Sequence, residues 1–347
     1  MQAITNTLKA VLDWIYTIIS NYGWSIVIFT VLMKAALLPL DIMSRQGMRK
    51  MQRIQPELNA LQKKYANDKQ KLQQKQSELM RKERYNPLSG CLPMLIQMPI
   101  LFAMFGAMRA IANEQTVVQV FEYLSGTAPV YEGWLWVRNI WSPDSLFATI
   151  VPSTNALQMI SHDVWQQVFS SLSPEKVELI MQNLAAKAPE FAGTLDFSSA
   201  DALRSMLPHI ISVLGSMPEY VEMLKPVPGW ANLNFFITSI TLYIHYNGYL
   251  ILPVLAGLTQ VLNTKLNPQT SQQAENQSGS QTSGMTGFMK YFFPLFSVFI
   301  CLTSNAGFAL YWVVSNIVAS LSSLGITRYY DRIDKLAAEN KGAVSIQ

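Results

Sequence analysis

The sequence predicts an all-α polytopic membrane protein: a five-helix transmembrane core with a cytoplasmic helical hairpin, an N-terminal interfacial helix and a helical external insertion. Three observations carry that expectation. Half of the 347 residues are hydrophobic and only 14% are charged, against about 25% in soluble proteins. The deficit is concentrated in windows of about 20 residues that carry almost no charge, the length a helix needs to cross hydrocarbon. Between the first two such windows, twelve Lys and Arg face four acids from Ser44 to Pro87.

Residues 1–21 come first. Ile4, Leu8, Val11, Leu12, Ile15, Ile18 and Ile19 recur at helical spacing, while Thr5, Asn6, Lys9 and Asp13 fall elsewhere on the wheel. That pattern predicts an amphipathic helix lying in a membrane interface, on the outer side. It is not a good signal peptide, because no basic region precedes the apolar run and no A-x-A-like site follows it. Residues 22–42 form the first expected span. Residues 43–88 then read as a charged helical hairpin. Met48, Met51, Ile54, Leu58, Leu61 and Tyr65 keep 3–4 spacing, and Leu72 and Leu79 continue a thin apolar seam. Asn67-Asp68 marks the break between its arms, and Pro56 is expected to kink or restart the first arm.

The second span is 91–112. Residues 113–245 then form an external loop or subdomain, with an insertion at 142–230 to which no role is assigned. Ser173-Pro174-Glu175 is a helix start, and another begins within Ser198–Leu207. The third span is 246–264; its start is blurred, because the apolar FFITSITLYI precedes it. A Gln/Ser/Gly-rich cytoplasmic loop at 265–286 should be mobile. Spans four (287–303) and five (306–326) are separated by little more than TSNAG, which predicts a tight antiparallel hairpin. A cytoplasmic tail, 327–347, closes the chain. The positive-inside rule sets the basic hairpin in the cytoplasm, and alternation then places the N-terminus outside and the C-terminus inside. Twelve acids against five bases in 113–245 agree with that.

Several classes find no support. Cys91 and Cys301 have no ligand spacing and read as small apolar packing residues. The three histidines are far apart, and Walker A, G-x-S-x-G and H-E-x-x-H patterns are absent. No catalytic constellation, cofactor, metal site or DNA-binding motif is expected.

One residue breaks the apolar pattern. Lys34 lies in TVLMKAALLPL, 12 residues after Tyr22, which is roughly 18 Å of helix. An ionised lysine mid-span costs about 2.5–3.5 kcal/mol and normally faces a partner or a water-filled cavity. No Asp or Glu occupies the middle of another span, which disfavours a buried ion pair and favours a hydrated cavity. Thr30 shares a face with Lys34 at i, i+4. Thr259 and Asn263 repeat that spacing in the third span, Trp312 and Asn316 in the fifth, and Gln97 is the polar residue of the second. These residues either line one wet groove or simply hydrogen-bond helices together.

Several stretches resemble the YidC/Oxa/Alb family of membrane protein insertases. They are NYGWSIVIFTVLMKAALLPLD, NPLSGCLPMLIQMPILFAMF, LPVLAGLTQVLNTKLNP and FMKYFFPLFSVFICLTSNAGFALYWVVSNIVAS, in that order. The resemblance implies a bacterial plasma-membrane protein whose five helices enclose a hydrophilic groove, open to cytoplasm and lipid and closed outside. Lys34 would be the groove's cation, where the family usually has Arg; Thr30 and Trp312 would flank the substrate path, with Gln97, Thr259, Asn263 and Asn316 along it. The implied function is insertion of nascent membrane proteins into the lipid bilayer without nucleotide hydrolysis, with the ribosome and the Sec translocon as possible partners. The sequence departs from the family in lacking a lipoprotein signal or a large N-terminal external domain, and in carrying the 142–230 insertion. The competing class is a small-solute or ion transporter using Lys34 as its site. No inverted repeat and no paired intramembrane carboxylates support that class.

Overall fold

The computed structural model describes residues 2–83, 85, 88–188, 194–235, 238–266 and 283–344. Most of the expected loop 265–286 lies outside them, and nothing is added about it. The described chain is mainly helical: α1 (Gln2–Ile19), α2 (Tyr22–Lys64), α3 (Lys69–Lys82), α4 (Leu88–Leu124), α5 (Thr154–Gln158), α6 (His162–Ser170), α7 (Pro174–Lys187), α8 (Ala200–Gly215), α9 (Pro218–Met223), α10 (Ile251–Leu266), α11 (Ser283–Thr303) and α12 (Ala306–Val344). A short antiparallel pair, β1 (Leu233–Phe235) and β2 (Thr238–Ile240), precedes α10 in register Leu233↔Ile240.

By length and composition alone, two described helices are long and apolar enough to cross a membrane, one within α2 and one over Ala306–Leu336; Ile251–Leu266 and Tyr291–Thr303 are shorter apolar helices. The helices differ from the expected spans in instructive ways. The first span and the first hairpin arm are one helix, α2, which runs unbroken through Pro39 and Pro56. Pro56 therefore does not restart the arm. Both Pro56 and Gln52, whose carbonyl loses its intrahelical donor, are exposed, so water satisfies the freed carbonyl. The turn to α3 falls where expected, with Asp68 as N-cap accepting from Lys71 N at 3.0 Å. Ile54, Leu58, Leu79 and Tyr85 bury the seam, with Met51, Leu61 and Met80 packed on it.

The apolar α10 starts at Ile251, five residues after the expected 246, because residues before it are engaged in the outer loop described below. The expected tight hairpin of spans four and five is corrected too. α10 packs against both α11 and α12, whereas those two touch each other little. Only Ser304 and Asn305 separate them, and Asn305 Oδ1 caps α12 by accepting from Phe308 N at 2.8 Å. So short a capped link fixes an abrupt turn, and the two helices diverge around α10. The tail is also not separate: α12 continues as helix to Val344.

Two hydrophobic cores follow. One gathers α1, α2, α4, α10 and α12 around Leu12, Ile15, Ile26, Phe29, Met108, Leu252 and Phe308, and includes the free thiol Cys301. The other builds a helical subdomain, where α4 overshoots the expected span and becomes the central helix through Val117, Val120, Phe121 and Leu124. Phe121, Trp165 and Phe197 pack there, with Trp165 stacked on Phe197 at 5.6 Å. Ser173 with Pro174, and Ser199, start α7 and α8 as the sequence predicts.

Candidate functional site

Lys34 lies on the inward stripe of α2, between buried Thr30 and half-buried Asp41, while Val31, Leu32, Ala35 and Ala36 are exposed. Its Nζ donates to Gln97 Oε1 on α4 at 3.2 Å. Among the described residues it forms no ion pair. Its hydrogen-bond partner is therefore a neutral amide, which orients the ammonium without neutralising it. Beside Gln97, on α12, lie the buried Tyr311 hydroxyl and Ser315. Tyr311 Oη meets no partner in hydrogen-bond geometry among the described residues. A cation, an amide and a phenol thus meet between α2, α4 and α12.

A second polar contact lies on α12, about one turn further on. Asn316 Nδ2 donates to Gln260 Oε1 at 3.1 Å and to Thr259 Oγ1 at 3.4 Å, joining α12 to α10. Asn263 is half-buried one turn beyond Thr259. Trp312 is half-buried and meets Phe308 edge-on at 5.8 Å; its buried Nε1 has no partner among the described residues. Thr30 is fully buried, and its hydroxyl donates to its own helix at Ile26 O, 2.6 Å away. The structure thus joins Lys34 to Gln97 and Thr259 to Asn316. It leaves Thr30 inside the packing and brings in Gln260, Tyr311 and Ser315, which the sequence reading did not single out. Tyr311 and Ser315 share a face at i, i+4; that spacing was the available signal.

The two ends of this core differ. At one end, loop 133–151 ties the helices together. Asp144 is fully buried and accepts from Leu250 N (3.2 Å), Leu252 N (2.7 Å) and Trp136 Nε1 (3.1 Å), so it caps α10 from another segment. Asn247 Nδ2 donates to the carbonyls of Asn139, Ser142 and Pro143, and Asn247 Oδ1 accepts from Asn139 N. Ala306 N and Gly307 N donate to Ser142 O and Ile140 O, each at 2.9 Å. Trp134 lies so close over Gly23 that a Cβ there would be 2.1 Å from its ring.

The other end is held by charge. Arg45 donates to Ser323 Oγ at 2.7 Å, Arg49 pairs with Asp331 and with Asp334 (3.2 Å), and Arg53 pairs with Asp334 at 3.1 Å. Arg49 also lies 5.0 Å from the Tyr330 ring. These contacts dock α12 over residues 323–334 along α2. Lys9 of α1 bridges Asp13 and Glu114, both at 3.1 Å. Tyr16 donates to Glu132 at 2.7 Å, which with burial pushes its phenol up to about 12.

Comparison with known proteins adds an independent line. The family described as 60Kd inner membrane protein matches residues 14–333. The protein named Membrane protein insertase YidC from Fusobacterium nucleatum subsp. nucleatum is 40% identical over 159 residues, 45% of this chain and 69% of that protein. The proteins of that name from Bordetella petrii and Anaeromyxobacter sp. are 41% identical over 107 residues and 34% over 171. Those alignments cover 31% and 49% of this chain, but only 19% and 27% of the two relatives.

Proposed function

The chain belongs to the 60Kd inner membrane protein family, that of the YidC insertases, and on that premise we propose that it inserts nascent membrane proteins into the bacterial inner membrane through a hydrophilic groove centred on Lys34. The observation that carries the groove is the contact of Lys34 with Gln97, a cation held by a neutral amide between apolar helices.

A client with a short polar or acidic outer tail enters from the cytoplasm. Lys34, Gln97 and the lining from Thr259 to Asn316 replace part of the tail's lost hydration and lower its transfer cost. The apolar segment then partitions sideways into lipid, gaining about 25 cal/mol per Å² buried. Among the described residues Lys34 touches no carboxylate, and Asp41 on the same face attracts it only from a distance; a cation so placed can attract an acidic tail without first breaking a close ion pair. The bonds around Asp144 and Asn247 at the outer end support a closed outer face. We assign the driving energy to partitioning, with the membrane potential adding ~2.3 kcal/mol per charge per 100 mV for an acidic tail. The basic hairpin 43–88 faces the cytoplasm and is the surface on which a ribosome would present the client.

The test is photo-crosslinking to a ribosome-bound client. A crosslinker replacing Gln97 or Trp312 is expected to label the nascent chain, and one replacing the exposed Leu321 on the same helix as Trp312 to label lipid. Labelling at Leu321 with none at Gln97 or Trp312 would overturn the groove.

A further inference from the structure

The longest charge-free stretch of the external region has no place in this account. From Pro226 to Tyr249 the sequence contains no Asp, Glu, Lys or Arg. It is apolar enough to blur the start of the third span, yet its described residues hold the antiparallel pair β1–β2 and no helix.

Its base is tied to the outer end of the core. Tyr243 bridges to Pro226 and Tyr246 to Thr149, and Tyr243 N donates to Leu146 O. Five residues beyond Tyr246, α10 begins. The stem is ordered by Val227 N to Leu242 O and Leu242 N to Trp230 O, and Thr241 Oγ1 accepts from Asn232 N. Pro228 and Gly229, the latter at φ 80°, turn the chain so that Trp230 N donates back to Val227 O. That turn leaves Trp230 52% exposed; Leu233 and Ile244 are each 40% exposed. A strand pair and stem whose described residues show tryptophan, leucine and isoleucine, with no charge to solvate them, match a bilayer interface better than water.

We propose that the hairpin 226–244 lies in the outer headgroup layer of the bilayer and anchors the external subdomain on the lipid surface. The proposal rests on the reading of α10 as a membrane helix. Two strands leave their outer edges unpaired, which hydrocarbon does not tolerate but hydrated headgroups do. The depth is therefore interfacial. Trp230 is the anchoring side chain, and the tie through Tyr243 and Tyr246 fixes the subdomain's tilt over the core.

The test uses the full chain in liposomes, with Cys91 and Cys301 replaced by alanine and one cysteine introduced for an environment-sensitive fluorophore. The sites are Leu233→Cys on the hairpin, Leu258→Cys on the exposed face of α10 and Leu179→Cys on α7 of the subdomain. Leu258 should be quenched by a deep lipid nitroxide. Leu233 should be quenched by a headgroup-level nitroxide about threefold more than Leu179, which should respond to aqueous iodide. Iodide quenching at Leu233 equal to that at Leu179, with Leu258 still deep, would overturn the anchor alone. Shielding of Leu233 from both quenchers would mean a protein covers it, and would overturn the anchor as well. Loss of deep quenching at Leu258 would instead remove the membrane reading beneath it.

Discussion

Two side chains, Asp144 and Asn247, hold one end of the core. Asp144 satisfies the backbone donors of Leu250, just before α10, and of Leu252 in its first turn, and one indole, without access to water. Asp144→Ala leaves all three unsatisfied, so a loss of about 2–3 kcal/mol is expected in thermal unfolding in detergent. Gly248→Ala should act on the same contact, because its Cβ would fall 2.0 Å from Asp144 Oδ1; a cost of about 1–3 kcal/mol is expected. In the subdomain, burial alone would raise Glu122, but hydrogen bonds from Lys176 and Thr127 overcome it and hold the carboxyl below its ordinary 4.5. A depressed carboxyl stabilises above its unfolded pKa and loses that contribution as pH falls through the folded value. Stability should therefore decline as pH falls below about 4.5, and Glu122→Gln should flatten that decline. Lys34 was legible because one charge in an apolar run is conspicuous. Asp144 was not, because two of its three donors, Leu250 N and Leu252 N, are more than 100 residues away and are backbone groups that carry no side-chain signal.

Among the elements, the ion pairs of Arg49 and Arg53 dock the end of α12 against α2. The acids are more than half exposed, so each pair contributes only about 0.2–1 kcal/mol and salt weakens it. Arg49→Ala should raise amide exchange over residues 327–336 about fivefold, and 0.5 M salt should reproduce much of that in the unmodified chain. Unchanged exchange in both would show that α12 docks by other contacts. The helix periods and the caps at Asp68, Ser173 and Ser199 were readable locally. The continuity of α2 through Pro56 was not, since it depends on water reaching Gln52 O. Nor was the separation of α11 from α12, which depends on where α10 packs. The late start of α10 has the same origin: hydropathy favours helix from 246, while bonds to Asn139, Ser142 and Asp144 draw residues 247–250 into the loop.

At the scale of the molecule, two cores share one helix. α4 carries Met104, Met108 and Ile111 into the first and Val117, Phe121 and Leu124 into the second. Damage to the outer core should therefore remain local. Trp165→Ala is expected to cost about 3–5 kcal/mol there, and limited proteolysis should cut within 142–230 while α2, α10 and α12 stay protected. The proposed groove turns on Lys34, which among the described residues makes no ion pair and donates to Gln97 between α2 and α4. It is tested most directly by comparing Lys34→Arg, Lys34→Gln and Lys34→Leu in proteoliposomes, scoring insertion of a single-span client with an acidic outer tail. Arg should retain insertion, Gln should lower it and Leu should abolish it, with the thermal unfolding midpoint unchanged or raised. A Leu variant that inserts this client as well as the unmodified chain would contradict the charged groove.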